Sequence, residues 1–284
     1  MILRLLLILA FASSALYAQE DGQDWDVRLT QVSGEVMVFV SGEDAEGIPA
    51  AADMPLQEGD RVVTGEGASA EISLGGEHVI SLRERSDFTL VSPRRSQTLL
   101  SLALGTLLGK LQALAAGQAL SVRTPTAVAS VRGTEFGVEF DSDAGQTYVA
   151  VFDEGEVAVQ SEAGGQIETL RSNQETRVAR AQPPLPAYHL RRLRPRREYM
   201  RHQLRPRLAT LRRGWRQLPP AERMRLRRET IDRMKQKRRE QFEQRRQMKD
   251  RRPLPPVRRK PRPDQEKMEK FREEIMRRRR QQKQ

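Results

Sequence analysis

The chain has 284 residues, of which 37% are hydrophobic and 31% are charged, and it contains no cysteine. The lack of cysteine excludes a disulfide framework, a thiolate metal site and a cysteine nucleophile. Residues 1–180 carry 13 Lys+Arg against 26 Asp+Glu, whereas residues 181–284 carry 37 against 12. This asymmetry predicts an acidic folded body with a basic arm suited to polyanions or an anionic membrane surface, with solubility alone as the alternative.

Residues 1–18 have the order of a secretory signal peptide. Arg4 and the α-amino group supply positive charge, residues 5–12 form an apolar run, and small residues follow. Cleavage is predicted after Ala18 or Ala15, which places the mature protein in the periplasm or outside the cell. The alternative is an uncleaved anchor. The apolar run favours a cleaved signal, because it is shorter than the roughly 20 apolar residues of a membrane-spanning helix. No integral membrane span is expected after cleavage.

Residues 27–180 are predicted to form one all-β domain, because apolar and polar side chains alternate and β-branched residues are common. Glycine-rich breaks supply the turns between short strands. The predicted strands are residues 36–40, 61–64, 70–74, 79–82, 88–90, 121–123, 136–140, 148–151 and 157–159. The fold class is therefore all-β, either a sandwich or a short β-solenoid, followed by a mostly helical, partly disordered basic tail.

Residues 99–114 depart from this alternation. They are rich in leucine and alanine, which favour helix, but Gly105 and Gly109 disfavour a helix interior by about 1 kcal/mol each. We predict a strand, a turn and a second strand here.

Five stretches of the body carry motifs: residues 32–36, 56–65, 68–82, 152–157 and, most specifically, 122–138, with its Thr-Pro and Arg-Gly-Thr-x-Phe runs. Together they resemble the FecR family, best known from periplasmic regulators that relay a signal from an outer-membrane siderophore receptor. The resemblance covers roughly residues 32–178. It implies an all-β fold, an envelope location and protein–protein interaction. In those regulators, the resemblance implies, a cytoplasmic anti-sigma segment and a membrane helix precede the domain. Only a few residues precede the apolar run here, so no sigma-factor contact is expected.

The central motif is expected to shape the fold and to touch no ligand. Pro125 lacks an N–H and should lie at a strand start or edge, and Gly133 permits a close backbone approach. Alternation places Phe136 and Val138 on one face of the next strand. Arg132 is expected to form an ion pair within the domain. The motif residues are Pro125, Arg132, Gly133, Thr134 and Phe136.

The tail begins with a linker at residues 181–197, stiffened by the prolines of residues 183–186. A basic helical segment is predicted at residues 198–252. Its first part, residues 198–218, is interrupted at Pro206 and Gly214 and carries an amphipathic stripe of apolar residues spaced three or four apart: Leu204, Leu208, Leu211, Trp215 and Leu218. Residues 221–252 contain neither proline nor glycine, and their sparse apolar side chains predict a solvated, charged helix that begins at Pro219 and Pro220. Residues 253–284 are predicted to be disordered, or to form a short helix at residues 267–280.

The tail's arginines are the predicted binding residues, because the guanidinium fork binds phosphate and carboxylate bidentately. The expected partners are lipopolysaccharide, anionic lipid or acidic polysaccharide. The candidates are Arg191, Arg192, Arg194, Arg196, Arg197, Arg212, Arg213, Arg227, Arg228, Lys237, Arg238, Arg239, Arg277, Arg278, Arg279 and Arg280.

No catalytic residue, cofactor or metal site is predicted. His78, His189 and His202 have no metal-binding spacing, and the sequence has neither a phosphate-binding loop nor a nucleophile elbow. The prediction is an exported, non-enzymatic envelope protein: a FecR-like interaction or signalling module with an unknown protein partner, tethered by its polycationic tail. The alternative is a polyanion-binding or structural envelope protein whose tail is the functional part.

Overall fold

The computed structural model describes residues 24–43, 46–250 and 265–281. The predicted signal peptide at residues 1–18 and the stretch at 251–264 lie outside the described residues. The chain divides into two compact units, Met1–Arg238 and Arg239–Gln284. The first unit extends well beyond residue 180, so the predicted boundary between body and tail does not end the folded body.

The described residues contain sixteen strands followed by helices. The strands are β1 (Val27–Ser33), β2 (Val36–Phe39), β3 (Ile48–Pro49), β4 (Arg61–Thr64), β5 (Ser69–Leu74), β6 (His78–Leu82), β7 (Asp87–Ser92), β8 (Thr98–Leu111), β9 (Leu120–Arg123), β10 (Ala127–Val131), β11 (Glu135–Asp141), β12 (Gln146–Val151), β13 (Val157–Ser161), β14 (Ile167–Leu170), β15 (Gln174–Ala179) and β16 (Tyr188–His189). The helices are α1 (Arg196–Tyr199), a π-helical segment (Met200–Leu204), α2 (Arg205–Gly214), α3 (Pro220–Asp250) and α4 (Gln265–Gln281). The predicted all-β body with a helical C-terminal region is confirmed.

Two sheets share the long strand β8. The first sheet has the order β1-β5-β6-β8-β11-β12-β15-β16, and the second has the order β3-β2-β4-β7-β8-β9-β10-β13-β14. Within the described residues, β8 and β9 form the only parallel pair. Because the other ladders are antiparallel, the body is a sandwich and not a stack of parallel solenoid coils.

The turn predicted within residues 99–114 is absent from the structure, and this expectation is wrong. β8 runs continuously through the region and bends at Gly105, whose φ is +87°. A Cβ atom at Gly105 would lie 2.6 Å from the carbonyl oxygen of Arg85. The leucines do not alternate with polar residues because both faces of β8 are covered: Leu107 faces the sandwich core, whereas Leu108 belongs to a second cluster on the opposite face.

The sandwich core joins residues of both sheets, such as Leu29 and Ile72 of the first and Phe88 and Leu100 of the second. The second cluster lies on the other face of the first sheet. On the sheet side, Val79, Leu108 and Ala150 lie in strands and Phe152 directly follows β12; the covering residues are Leu190, Leu193, Met200, Leu204, Leu208 and Leu211. The residues predicted to form the linker and the start of the basic helical segment are therefore a third layer of the body.

The helical layer passes through Pro206 without the predicted interruption. The N–H of Arg205 bonds to the carbonyl of Met200, five residues back, so the chain widens into a π-helical turn just before the proline. A proline near the start of an α-helix loses no required donor. Helix α2 ends at Gly214, as the sequence indicates, and Trp215 is extended.

Helix α3 begins at Pro220, as predicted from the proline pair. The expectation that this helix is fully solvated is wrong for its part within the first unit. Ile231 and Met234 are only 5% and 7% exposed and join the sandwich core cluster. The short helix predicted at residues 267–280 is present as α4.

Replacing Gly105 with alanine should destabilise the sandwich more than the same change at Gly117. Both glycines have similar positive φ angles, +87° and +81°, so both variants incur about 1–2 kcal/mol of backbone strain. Only Gly105 has atoms in the way; nothing lies within 4 Å of a Cβ at Gly117. Overpacking should add about 1–3 kcal/mol for Gly105→Ala. Equal midpoints of denaturant unfolding for the two variants would contradict the bend in β8.

Candidate functional site

The charge of the first unit is nearly balanced. Met1–Arg238 carries 32 Lys+Arg against 30 Asp+Glu, whereas Arg239–Gln284 carries 18 against 8. We call residues 191–238 the arm. The carboxylates it contacts form the docking face: Asp26, Glu43, Glu46, Asp60, Glu71, Glu135, Glu139, Asp141, Asp153 and Glu175. Basic residues of the arm therefore lie against the acidic residues of the sandwich.

The start of the arm is held by the buried carboxylate of Glu175, which is 1% exposed. It accepts hydrogen bonds from the backbone N–H groups of Arg192 (3.2 Å) and Leu193 (2.9 Å) and from the hydroxyl of Tyr188 (3.2 Å). Burial and the neighbouring carboxylate raise the pKa of Tyr188 to about 12. Glu175 thus fixes the direction in which the chain leaves β16.

Asp153, just after β12, is shared by three arginines of the arm. Its carboxylate accepts hydrogen bonds from Arg197 (2.6 Å), Arg201 (2.7 Å) and Arg205 (2.5 Å). Arginines spaced four residues apart share one face of a helix, so a single carboxylate can serve all three. The hydrogen bond from Arg201, with those of its two neighbours, holds the pKa of Asp153 well below its usual range. Asp153 therefore remains ionised and paired across the neutral pH range.

Arg205 also reaches Glu135, a completely buried carboxylate inside the central motif. Its Nη2 lies 2.6 Å from Oε2 of Glu135, and Lys110 Nζ lies 3.3 Å from Oε1. The hydrogen bond to Glu135 raises the pKa of Arg205. Two residues along, Arg207 pairs with Glu71 at 2.9 Å. The motif thus supplies a contact that holds the arm.

The connection between α2 and α3 is held by β1. Asp26 is completely buried, pairs with Arg28 and accepts the N–H of Leu218 at 3.2 Å. Arg28 donates to the carbonyl of Arg216 at 2.7 Å, and its guanidinium lies 4.2 Å from the ring centre of Trp215. This cation–π and hydrogen-bond set fixes the turn between the two helices.

The most deeply buried ion pair of the arm joins Arg227 of α3 to Asp60, which are 4% and 0% exposed. Nη2 of Arg227 lies 2.8 Å from Oδ1 of Asp60, and Nη1 donates to the carbonyl of Pro55 at 2.9 Å. The carboxylate also accepts the N–H groups of Ser41 (2.9 Å) and Gln57 (2.8 Å). Asp60 therefore orders the motif turn before β4 and anchors the helix as well.

The structure divides the predicted polyanion-binding residues into two groups. Arg227 is buried against Asp60, so the expectation for this residue is wrong. Arg192 pairs with Glu139 and Asp141, Arg197 with Asp153, and Arg238 with Glu46 at 2.7 Å. Arg196 is half-buried. Arg278 pairs with Glu274 of its own helix at 3.0 Å and, like Arg192, is exposed. The remaining exposed candidates are Arg191, Arg194, Arg212, Arg213, Arg228, Lys237, Arg239, Arg277, Arg279 and Arg280.

The central motif makes packing contacts. Gly133 has φ +71°, and a Cβ there would lie 2.5 Å from Cα of Ala113. Thr134 donates to the carbonyl of Glu154, and Phe136 is completely buried. Pro125 lies exposed in the turn between β9 and β10, not at a strand start or edge as expected.

Arg132 differs from expectation as well. It is exposed and forms no ion pair within the described part of the chain, so the ion pair expected inside the domain is not formed. Buried hydroxyl groups surround the Thr-Pro turn, and no sequence pattern predicts them. Thr147 lies 2.7 Å from Thr124 and 2.6 Å from Thr126, oxygen to oxygen.

Among residues 24–43, 46–250 and 265–281, no three histidine or acidic side chains come together as metal ligands. His78 is buried, and its Nδ1 accepts the N–H of Gln112 at 3.2 Å. Burial and the nearby Arg95 lower the pKa of His78 to about 4.

A cleft of about 400 Å³ opens beside the start of α3, with Trp25, Leu56, Pro93, Pro220 and Met224 among its lining residues.

The family comparison agrees with the motifs. Residues 60–158 match the family described as FecR protein, which confirms the predicted resemblance. Two crystal structures of a protein described as a candidate anti-sigma factor from Parabacteroides distasonis, at 1.65 and 2.50 Å, each resemble the chain with a TM-score of 0.41 and 18% identity. Each match covers 47% of this chain and 61% of the other, so it spans about three fifths of that protein's length. A search of curated proteins found no match. In the described residues, no helix is both long and apolar enough to cross a membrane.

Replacing Arg227 with alanine should destabilise the first unit by about 3–5 kcal/mol, because Asp60 would remain buried without its cation. Arg228→Ala is the matched control: it removes the same side chain from the next position of α3, where it is exposed. The control should change the unfolding free energy by no more than about 0.5 kcal/mol. Urea unfolding checks both values. A similar small loss for the two variants would contradict the buried anchor.

Proposed function

We propose that this chain is an exported, non-enzymatic interaction or signalling module of the bacterial envelope, and its match to the FecR family at residues 60–158 supports this. In this proposal the sandwich and its docked arm form one rigid body that binds a protein partner. The terminal unit, Arg239–Gln284, is a cationic tether that binds an anionic surface. The observation that carries the tether is the uneven balance of charge between the two units.

The tether is shorter than the whole basic tail. In the arm, arginines are held by carboxylates of the docking face, and the first unit is close to neutral. The terminal unit keeps an excess of ten positive charges, 18 against 8. Arg277, Arg278, Arg279 and Arg280 are exposed in α4. A segment of this charge attracts phosphate and carboxylate groups in a salt-dependent manner.

The docking face supports the non-enzymatic part of the proposal. Asp153 is kept ionised by three guanidinium groups, so it is a poor proton donor near neutral pH. Glu135 and Asp60 are buried and occupied by arginines as well. These carboxylates act as anchors for the arm, and the residues of the central motif pack around them.

Export is supported by the signal-peptide pattern of residues 1–18. Cell fractionation with intact-mass analysis of the native protein tests it. We expect periplasmic or extracellular protein that begins at Gln19 or Leu16 and is released from membranes by raised salt. Cytoplasmic protein that retains Met1 would contradict the proposal.

The same fractionation tests the tether. A variant with Arg277, Arg278, Arg279 and Arg280 changed to glutamine should be released at lower salt than the wild type, because fewer charges bind the surface. Arg212→Gln with Arg213→Gln is the control, since these exposed arginines lie in the arm. Release of both variants at the wild-type salt concentration would argue against a tether in the terminal unit.

A further inference from the structure

The terminal helix α4 exposes large apolar side chains beside its charges. Met268, Phe271, Ile275 and Met276 are 53%, 62%, 40% and 58% exposed. Single apolar residues scattered over a surface are ordinary, but four within nine positions of one helix form a continuous patch. Phe242, in the same unit, is 69% exposed. Electrostatic binding of a soluble polymer requires none of these side chains.

The positions of these residues define one stripe along the helix. Met268, Phe271 and Ile275 are spaced by three and four residues, which places them on one face, and Met276 adjoins them. Arg272 and Arg279 follow Met268 and Ile275 by four positions, so they lie next to these apolar side chains on the same face of the helix. An arginine beside an apolar stripe can bury its methylene stem and keep its guanidinium at the level of polar headgroups.

We propose that α4 is an interfacial membrane helix that binds the surface of an anionic phospholipid bilayer. Met268, Phe271 and Ile275 enter the boundary between headgroups and acyl chains, and the bordering arginines bind headgroup phosphates. This deepens the proposed function and rests on it, since it names the anionic surface that the terminal unit binds. A helix with an apolar stripe, a strongly charged opposite side and low mean hydropathy lies in the plane of the interface instead of crossing the bilayer.

Lipid fits the stripe better than the other occupants do. A soluble polyanion would satisfy the arginines but leave Phe271 and Met268 in water. A second copy of the helix would cover the stripe, but it would bring together helices that each carry seven Lys+Arg against four Asp+Glu between Gln265 and Gln281. A bilayer with anionic headgroups satisfies both the charge and the apolar side chains.

The test uses the full-length mature protein and a triple variant, Met268→Gln, Phe271→Gln and Ile275→Gln. Glutamine keeps the net charge and has a good helix propensity, so only the stripe is lost. The matched control is Val91→Gln, Ile167→Gln and Leu185→Gln, which removes three exposed apolar residues from the first unit. Binding is measured by co-sedimentation with vesicles of phosphatidylglycerol and phosphatidylcholine in equal parts, and separately to long-chain polyphosphate.

The triple variant should bind the vesicles at least about tenfold more weakly than the wild type, because three apolar side chains no longer leave water. Its affinity for polyphosphate should be unchanged, and the control should match the wild type in both assays. Equal vesicle binding by the triple variant and the wild type, with polyphosphate binding intact, would overturn the inference while leaving the tether standing. Wild-type protein that binds neither probe would overturn the tether too. Self-association that only the triple variant loses, with vesicle binding unchanged, would assign the stripe to a second copy and also overturn the inference.

Discussion

The pairing of the arm's arginines with the acidic sandwich is the interaction on which the rest of the structure depends. Asp153 receives Arg197, Arg201 and Arg205 from successive turns of one helical layer, and Glu135 adds a second, buried acceptor for Arg205. Exposed ion pairs contribute little singly, but a shared and partly buried network fixes geometry strongly. Without the arm, several buried carboxylates would lose their cations, and the first unit would carry a large negative charge.

Apolar burial and charge act together in this layer. The same helical segment that presents arginines to Asp153 also covers Phe152 and Leu108 with Leu204 and Met200. The ion pairs set the position of the helix, and the apolar contacts contribute most of the free energy of docking. As a consequence, most of the arm's positive charge is balanced by carboxylates within the first unit. The excess left for outside partners is concentrated in the terminal unit, where the proposed tether and the lipid-binding helix lie.

The sequence alone predicts the strands well, because alternating apolar residues and glycine turns are local signals. It fails at β8, where both faces are covered and Leu107 and Leu108 are both buried. For the arm the prediction is incomplete: the stripe of Leu204, Leu208 and Leu211 indicates a helix with a packed face, but it does not identify the acidic sandwich as the surface that covers it. The acceptors Asp153 and Glu135 lie 44 to 70 residues away, beyond any local pattern. The sequence signal for the pairing of the arm's arginines with the sandwich is global: residues 1–180 carry an excess of 13 negative charges, and residues 181–238 carry an excess of 15 positive charges.

Hydrogen–deuterium exchange of the intact protein, read by mass spectrometry, tests most directly whether the arm is a folded layer of the body. A helix packed by buried leucines and ion pairs opens only in cooperative unfolding, so its amides are protected. The account predicts that the amides of residues 200–211 exchange as slowly as those of the central strands β8 and β11. Exchange of these amides at the rate of an unstructured peptide, with the strands still protected, would contradict it.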